Sequence, residues 1–258
     1  MYPIDLQGKA AIVFGVANNR SIAWAIAQAL HQAGARLAIT YQDQRLKERV
    51  VKLTEGWKAA LLLECDVSSD DNIAGVFREV KEQLGGLSIV VHSMAFALRE
   101  ELEGDFSKTS REGFRTSLEI SAYSLIPIVR YAAPLMEPEG GSIVALTFQA
   151  SERVFPGYNI MGTAKAALEN EVRQLAAEFG PKAIRVNALS PGPLETLAAR
   201  GIHGFADMRK GHAQRAPLGR NITHEEVGKA ALFLCSDLAS GVTGVVLPVD
   251  AGFHIMAV

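Results

Sequence analysis

Short apolar runs alternate along this chain with longer segments of helical periodicity, and that alternation constrains the fold most tightly. Ala10–Phe14 is apolar throughout and stops at Gly15. A run this short with no polar alternation reads as a strand buried on both faces, as in a parallel sheet. The turn GVANNRSIA follows, and residues 24–30 then carry helical apolar spacing. Ser21 is placed to cap that helix and Gly34 to stop it. Residues 36–40 form a second strand and complete one βαβ unit. Further strand runs stand at 61–67, 87–92, 142–146 and 184–189, with a weaker one at 245–250. Pro248 argues for an edge or end position in the last. Helical segments between the strands include 72–84, 111–136, 162–179 and 224–234, and Thr223 and Glu226 are spaced for a capping box ahead of the last. The expected fold is α/β: a single doubly wound parallel sheet, Rossmann-like, of about seven strands with helices on both faces.

With 258 residues, 48% of them hydrophobic, the chain has material for one large domain spanning 1–258. A net charge of −2 gives no basis for nucleic-acid binding or for attraction to an anionic membrane. No apolar stretch approaches the length of a bilayer span. The start MYPIDLQGKA lacks the basic-then-apolar pattern of a signal peptide. Cys65 and Cys235 stand far apart with no CxxC, which suits a reduced, cytoplasmic protein. His31, His203, His212 and His224 share no ligand spacing, so no metal is expected. Trp24 and Trp57 read as packing residues, as do Phe114 and Tyr123. The pairs Glu100-Glu101 and Glu225-Glu226 read as solvated helix starts.

Tyr158 and Lys165 lie seven residues apart where a helix begins. Nearly two turns separate them, so on a helix both would leave one face, roughly 10 Å apart along the axis. One could then meet a substrate while the other holds a cofactor. On spacing alone, a packed tyrosine and a solvated lysine account for the pair as well. Pro156 and Gly157 fit a turn feeding the helix.

A glycine turn between first strand and helix is where a dinucleotide pyrophosphate sits. Here Gly15 is the sole glycine of GVANNRSIA, so the usual GxGxxG is absent; Ser21 can still offer a hydroxyl and a backbone N–H. At the end of the second strand Gln42 is neutral. Arg45 and Lys47 leave NADPH open, though a solvated helix face explains them too, and the balance favours NADH. Asp66 and Val67 follow the third strand. The small residues of Ser93-Met94-Ala95-Phe96-Ala97 after the fourth would let a backbone approach a flat ligand.

Together these residues are familiar. The motifs GVANNRSIAWAIA, TYQDQRLKERV, CDV, HSMAFA, EISAYS, YNIMGTAKAALE, RVNALSPGPLETLAARGI and EEVGKAALFLCSDLASGVTG cover nearly the whole chain. It resembles the bacterial enoyl-acyl-carrier-protein reductases, a divergent branch of the short-chain dehydrogenases/reductases. Ordinary members of that superfamily place lysine four residues after tyrosine; here that position is Gly162 and the lysine comes three later. The resemblance implies reduction of trans-2-enoyl thioesters with NADH in fatty acid synthesis. It implies that Gly15, Ser21, Ile22, Gln42, Asp66, Val67, Met94, Lys165, Leu194 and Thr196 line the cofactor site. It implies that Tyr158 meets the substrate, that Ala97 lies at the acyl end, that Phe148 also belongs to the substrate site, and that residues 194–211 form a mobile substrate-binding loop with Gly201 and Gly204. Homotetramers and an acyl-carrier-protein partner are usual among such relatives.

Three departures stand out. Phe148 replaces a tyrosine common among bacterial relatives, as in the mycobacterial long-chain branch, and removes a second hydroxyl. Pro191 replaces a commoner alanine and removes one backbone donor. Ala251 stands where glycine is frequent, an exchange expected to matter little. Two rival readings are a carbonyl reductase on the same fold, which Thr147 and Phe148 disfavour, and a non-catalytic nucleotide sensor, which the Tyr158–Lys165 pair disfavours.

Overall fold

Alternate residues along the strands point to opposite faces, and in this chain both faces are covered. The computed structural model describes residues 4–57, 60–137, 139–197, 199 and 204–257. Among the described residues seven strands are present: β1 (Ala10–Phe14), β2 (Arg36–Tyr41), β3 (Leu61–Glu64), β4 (Ile89–His92), β5 (Gly141–Leu146), β6 (Ile184–Pro191) and β7 (Val246–Val249). All neighbours pair in parallel, in the order β3-β2-β1-β4-β5-β6-β7. The helices are α1 (Ile22–Gln32), α2 (Gln44–Leu53), α3 (Asp70–Leu84), α4 (Arg111–Leu118), α5 (Leu125–Met136), α6 (Ile160–Phe179), α7 (Phe205–Arg215) and α8 (His224–Cys235). The expected architecture is thus observed, with Pro248 in the edge strand β7.

Ala11, Val13, Ile39, Val91, Val144 and Leu189 pack with α1 and α8 on one face. Ile12, Phe14, Val90, Ile143, Ala145 and Val186 pack with α3, α5 and α6 on the other. This is why the strand runs are apolar without alternation. Helix α1 crosses α8 closely: a Cβ on Gly228 would come within 2.8 Å of the Ala25 carbonyl oxygen. The capping box at α8 forms, with Thr223 and Glu226 bonding reciprocally. Trp24 stacks on Trp57 at 4.7 Å and His31 on Trp57 at 4.2 Å, so both tryptophans do pack. Both cysteines are free and buried.

Several expectations need correction. The helix over 111–136 is interrupted by a π-helical turn at Glu119–Tyr123; apolar periodicity continues across it and conceals the inserted residue. Glu101 is no solvated helix start. It is 7% exposed, and its carboxylate accepts from the Ser110 N–H and hydroxyl. Glu226 does begin a helix, but it is held by Arg220 at 2.6 Å as well as by its cap. Phe114 and Tyr123 are 44% and 42% exposed, so neither is a core residue of this chain. Residues 198 and 200–203, including Gly201 and His203, lie outside the described residues.

The exchange at 251 is also less innocent than expected. Ala251 has φ 58, in the left-handed region that costs an L-residue about 1–2 kcal/mol. Part of that gain is offset by the greater freedom of glycine in the unfolded chain. Ala251→Gly should therefore stabilise the protein by about 0.5–1 kcal/mol, measured by urea unfolding.

Candidate active site

In a parallel sheet all strands end on one rim, and ligands sit where the order reverses. Here the reversal falls between β1 and β4. Gly15 leaves β1 with φ 94, and a Cβ there would collide with the carbonyl of Ser93 at the end of β4. Only glycine lets the two loops touch.

Ser21 occupies the N-cap position of α1 but does not cap it. Its Oγ accepts instead from the N–H groups of Ala17 and Asn18, each at 3.1 Å. The first turn of α1 has no acidic residue. The N–H groups of Trp24 and Ala25 donate to the Ser21 carbonyl, which leaves those of Ile22 and Ala23 for an anion, and the positive helix end favours one. The residues present thus fit a pyrophosphate, even with one glycine instead of three.

The other predicted cofactor residues gather on the same rim. Ile22 opens α1. Gln42 follows β2 and is exposed. The acid beside it, Asp43, is engaged in capping α2 by accepting from the Leu46 N–H at 2.8 Å. Lys47 lies over the Tyr41 ring at 5.9 Å, which accounts for it without a phosphate. Asp66 and Val67 lie beyond β3, which ends at Glu64 rather than at residue 67. Asp66 accepts from both the N–H and the hydroxyl of Ser68. Met94 follows β4, and Leu194 and Thr196 follow β6; Leu194 is buried, and the Thr196 hydroxyl accepts from the Ala199 N–H at 3.1 Å. Pro191 ends β6 opposite Val249, and the next residue, Gly192, supplies the N–H that reaches the Val249 carbonyl.

Ala97 is placed by a clamp the sequence does not reveal. In the π-helical turn, buried Ser121 accepts from the Phe96 N–H at 2.9 Å and donates to the Phe96 carbonyl at 3.1 Å. The inserted residue of the π turn re-aims this serine at the loop after β4.

Tyr158 and Lys165 do not share a helix face. Helix α6 begins at Ile160, two residues earlier than expected, and Asn159 ahead of it has φ 31. Tyr158 therefore sits in the turn before the helix, its N–H bonded to the Phe155 carbonyl. Its half-buried ring packs on Phe148 with centroids 5.0 Å apart, and Phe148 packs on Phe155 at 4.8 Å. Burial raises the Tyr158 hydroxyl above its ordinary value, so it remains a protonated donor. Lys165 is 4% exposed, and its Nζ donates to the Leu146 carbonyl at 2.7 Å. Burial lowers this ammonium to about 8, while Glu169 pulls the other way.

A buried histidine completes the site, and no spacing in the sequence marked it. His92 ends β4 and is fully buried. Its Nε2 lies 2.8 Å from Ser124 Oγ, whose own proton goes to the Ile120 carbonyl at 2.7 Å. Nε2 therefore carries the hydrogen. Burial, then Lys165, hold the ring down to about 3, so it is neutral. Among the described residues no group of histidine, cysteine and carboxylate side chains could hold a metal ion, and no helix is long and apolar enough to cross a membrane.

Comparison with known proteins gives the same picture. Residues 15–254 match the family model described as enoyl-(acyl carrier protein) reductase. The chain is 52% identical to an NADH-dependent enoyl-acyl-carrier-protein reductase of Nostoc sp., over 98% of this chain and 99% of the relative. It is 49% identical to that of Bacillus subtilis, over 98% of each. The crystal structure of the Bacillus cereus reductase with NADP+ and an indole naphthyridinone superposes with a TM-score of 0.96 at 47% identity, over 98% of this chain and 100% of that one.

The buried ammonium has a measurable signature. A lysine whose folded value is about 8 against 10.5 unfolded gives up its proton first in the folded state. Stability contributed by this group therefore rises as pH goes from 8 to 10.5. Wild type should gain about 2–3 kcal/mol over Lys165→Met across that interval, read from urea unfolding of the cofactor-free protein.

Proposed function

Because the chain belongs to the enoyl-acyl-carrier-protein reductase family, we propose that it reduces trans-2-enoyl thioesters of acyl carrier protein with NADH in fatty acid synthesis. The observation that carries this reading is the pairing of a protonated tyrosine and a buried ammonium beyond the end of β5. The anion-ready start of α1 lies on the same rim.

Bound NADH supplies the hydride that reduces the β-carbon. Negative charge then develops on the thioester oxygen, the Tyr158 hydroxyl donates a hydrogen bond to it, and the α-carbon takes up a proton that comes ultimately from solvent. Because its ring packs on Phe148, which in turn packs on Phe155, that donor is shielded on one side. Phe148 gives the acyl side an apolar wall where a second hydroxyl is absent. Lys165 hydrogen-bonds the nicotinamide ribose and sets the ring's position; its charge also favours the developing anion. Gly15, Ser21 and Ile22 receive the pyrophosphate, Gln42 the adenosine ribose, and Asp66 and Val67 the adenine side. Met94, Leu194 and Thr196 flank the nicotinamide end, and Ala97 the acyl chain. The segment 194–211 meets the substrate, with 205–211 belonging to α7 rather than to a loop as expected.

The whole chain, 1–258, acts as one dinucleotide-binding and catalytic domain in the cytoplasm, where its two thiols stay reduced. It assembles as a homotetramer; the apolar side chains of Phe114 and Tyr123, left in solvent, support this. Sedimentation equilibrium tests it.

Tyr158→Phe should lower turnover about 100–1000-fold with NADH affinity kept. Near-normal turnover would remove Tyr158 from the mechanism. Lys165→Ala should weaken NADH binding, followed by fluorescence titration; unchanged affinity would contradict its role. Crotonyl thioester should be reduced in preference to acetoacetyl thioester, and the reverse order would favour the carbonyl reductase.

A further inference from the structure

Two successive residues at the end of β5 hold two residues that are one turn apart on α6. The Leu146 carbonyl accepts from Lys165 Nζ at 2.7 Å, and the Thr147 hydroxyl donates to Glu169 Oε1 at 2.6 Å. Thr147, Lys165 and Glu169 are 3%, 4% and 5% exposed. Positions 165 and 169 are neighbours on one helix face. Yet the two do not form a contact ion pair: the ammonium is turned to a carbonyl and the carboxylate to a hydroxyl. Among the described residues no cation pairs with Glu169 either. A carboxylate buried this deeply is costly unless something nearby compensates it.

The groups around Lys165 narrow what that something is. His92 faces it from the end of β4 and is neutral. Tyr158 stands in the turn ahead of α6 and keeps its proton. Glu169, on the lysine's own helix, is the one that favours its charged form. We infer that Glu169, fixed in place by Thr147, is a positioning residue for Lys165, holding the buried ammonium charged and seated on the Leu146 carbonyl. The inference rests on the assignment of Lys165 to the cofactor ribose. A single clip from β5 to α6 would then set both where the lysine stands and whether it carries its proton.

The test reads Lys165 in the cofactor-free protein, independently of catalysis. The stability difference between wild type and Lys165→Met is followed against pH, then measured again in a Glu169→Gln background. The rise that starts near pH 8 in wild type is expected to start at lower pH without the carboxylate. Glu169→Asp should restore most of it. The alkaline limb of kcat/KM should shift by the same amount in Glu169→Gln. An onset unmoved by Glu169→Gln overturns the inference. An onset that moves while the activity limb stays put upholds it, and locates the fault in the ribose assignment of Lys165 instead. Should Glu169→Gln not fold, Thr147→Val keeps the charge and removes its tether. A smaller shift in the same direction is expected there, and no shift would also overturn the inference.

Discussion

The contact between Gly15 and the carbonyl of Ser93 is the constraint on which the rest of the site depends. It lies where the strand order reverses, so it fixes how the loops leaving β1 and β4 pass one another. A side chain at residue 15 would push them apart and separate the start of α1 from the HSMAFA loop. Because they touch, the start of α1 and the loop leading to Ala97 adjoin on the rim of the sheet. The π-helical turn holds that loop from the far side through Ser121. The end of β5 supplies the remaining wall through three consecutive residues. Leu146 seats Lys165, Thr147 seats Glu169, and Phe148 packs on Tyr158.

Much of this was legible in the residues. Strands buried on both faces must be apolar throughout, so their positions and the parallel sheet could be read directly. Their ends could not, because the rim loops keep apolar residues for other reasons, as at Cys65 and Val67 beyond β3. The helix over 111–136 looked continuous because one inserted residue leaves the apolar spacing nearly intact. Tyr158 was assigned to a helix face because nothing in YNIMG announces that Asn159 adopts φ 31. Ser21 was rightly placed at the head of α1, but its hydroxyl turns to the preceding loop, a choice set by tertiary packing. Glu101 resembled any acidic helix start; what buries it is the approach of Ser110. His92, Ser124, Thr147 and Glu169 come from separate elements and meet only in the fold. No spacing rule could have joined them.

Phe148 shows how a departure from the common pattern can be compensated by physical chemistry. A phenyl ring offers no hydrogen bond, but it seals one side of the Tyr158 ring against water. In drier surroundings a hydroxyl is a stronger hydrogen-bond donor. Pro191 is tolerated for a related reason, since Gly192 carries the sheet bond to Val249.

Both indoles of this chain, Trp24 and Trp57, lie ring against ring beside α1. Its tryptophan emission therefore comes from one place, beside α1. Light emitted there reports on how α1 is seated and is silent about α7 and the loop before it. Following α7 by optical means calls for a fluorophore introduced on α7 itself.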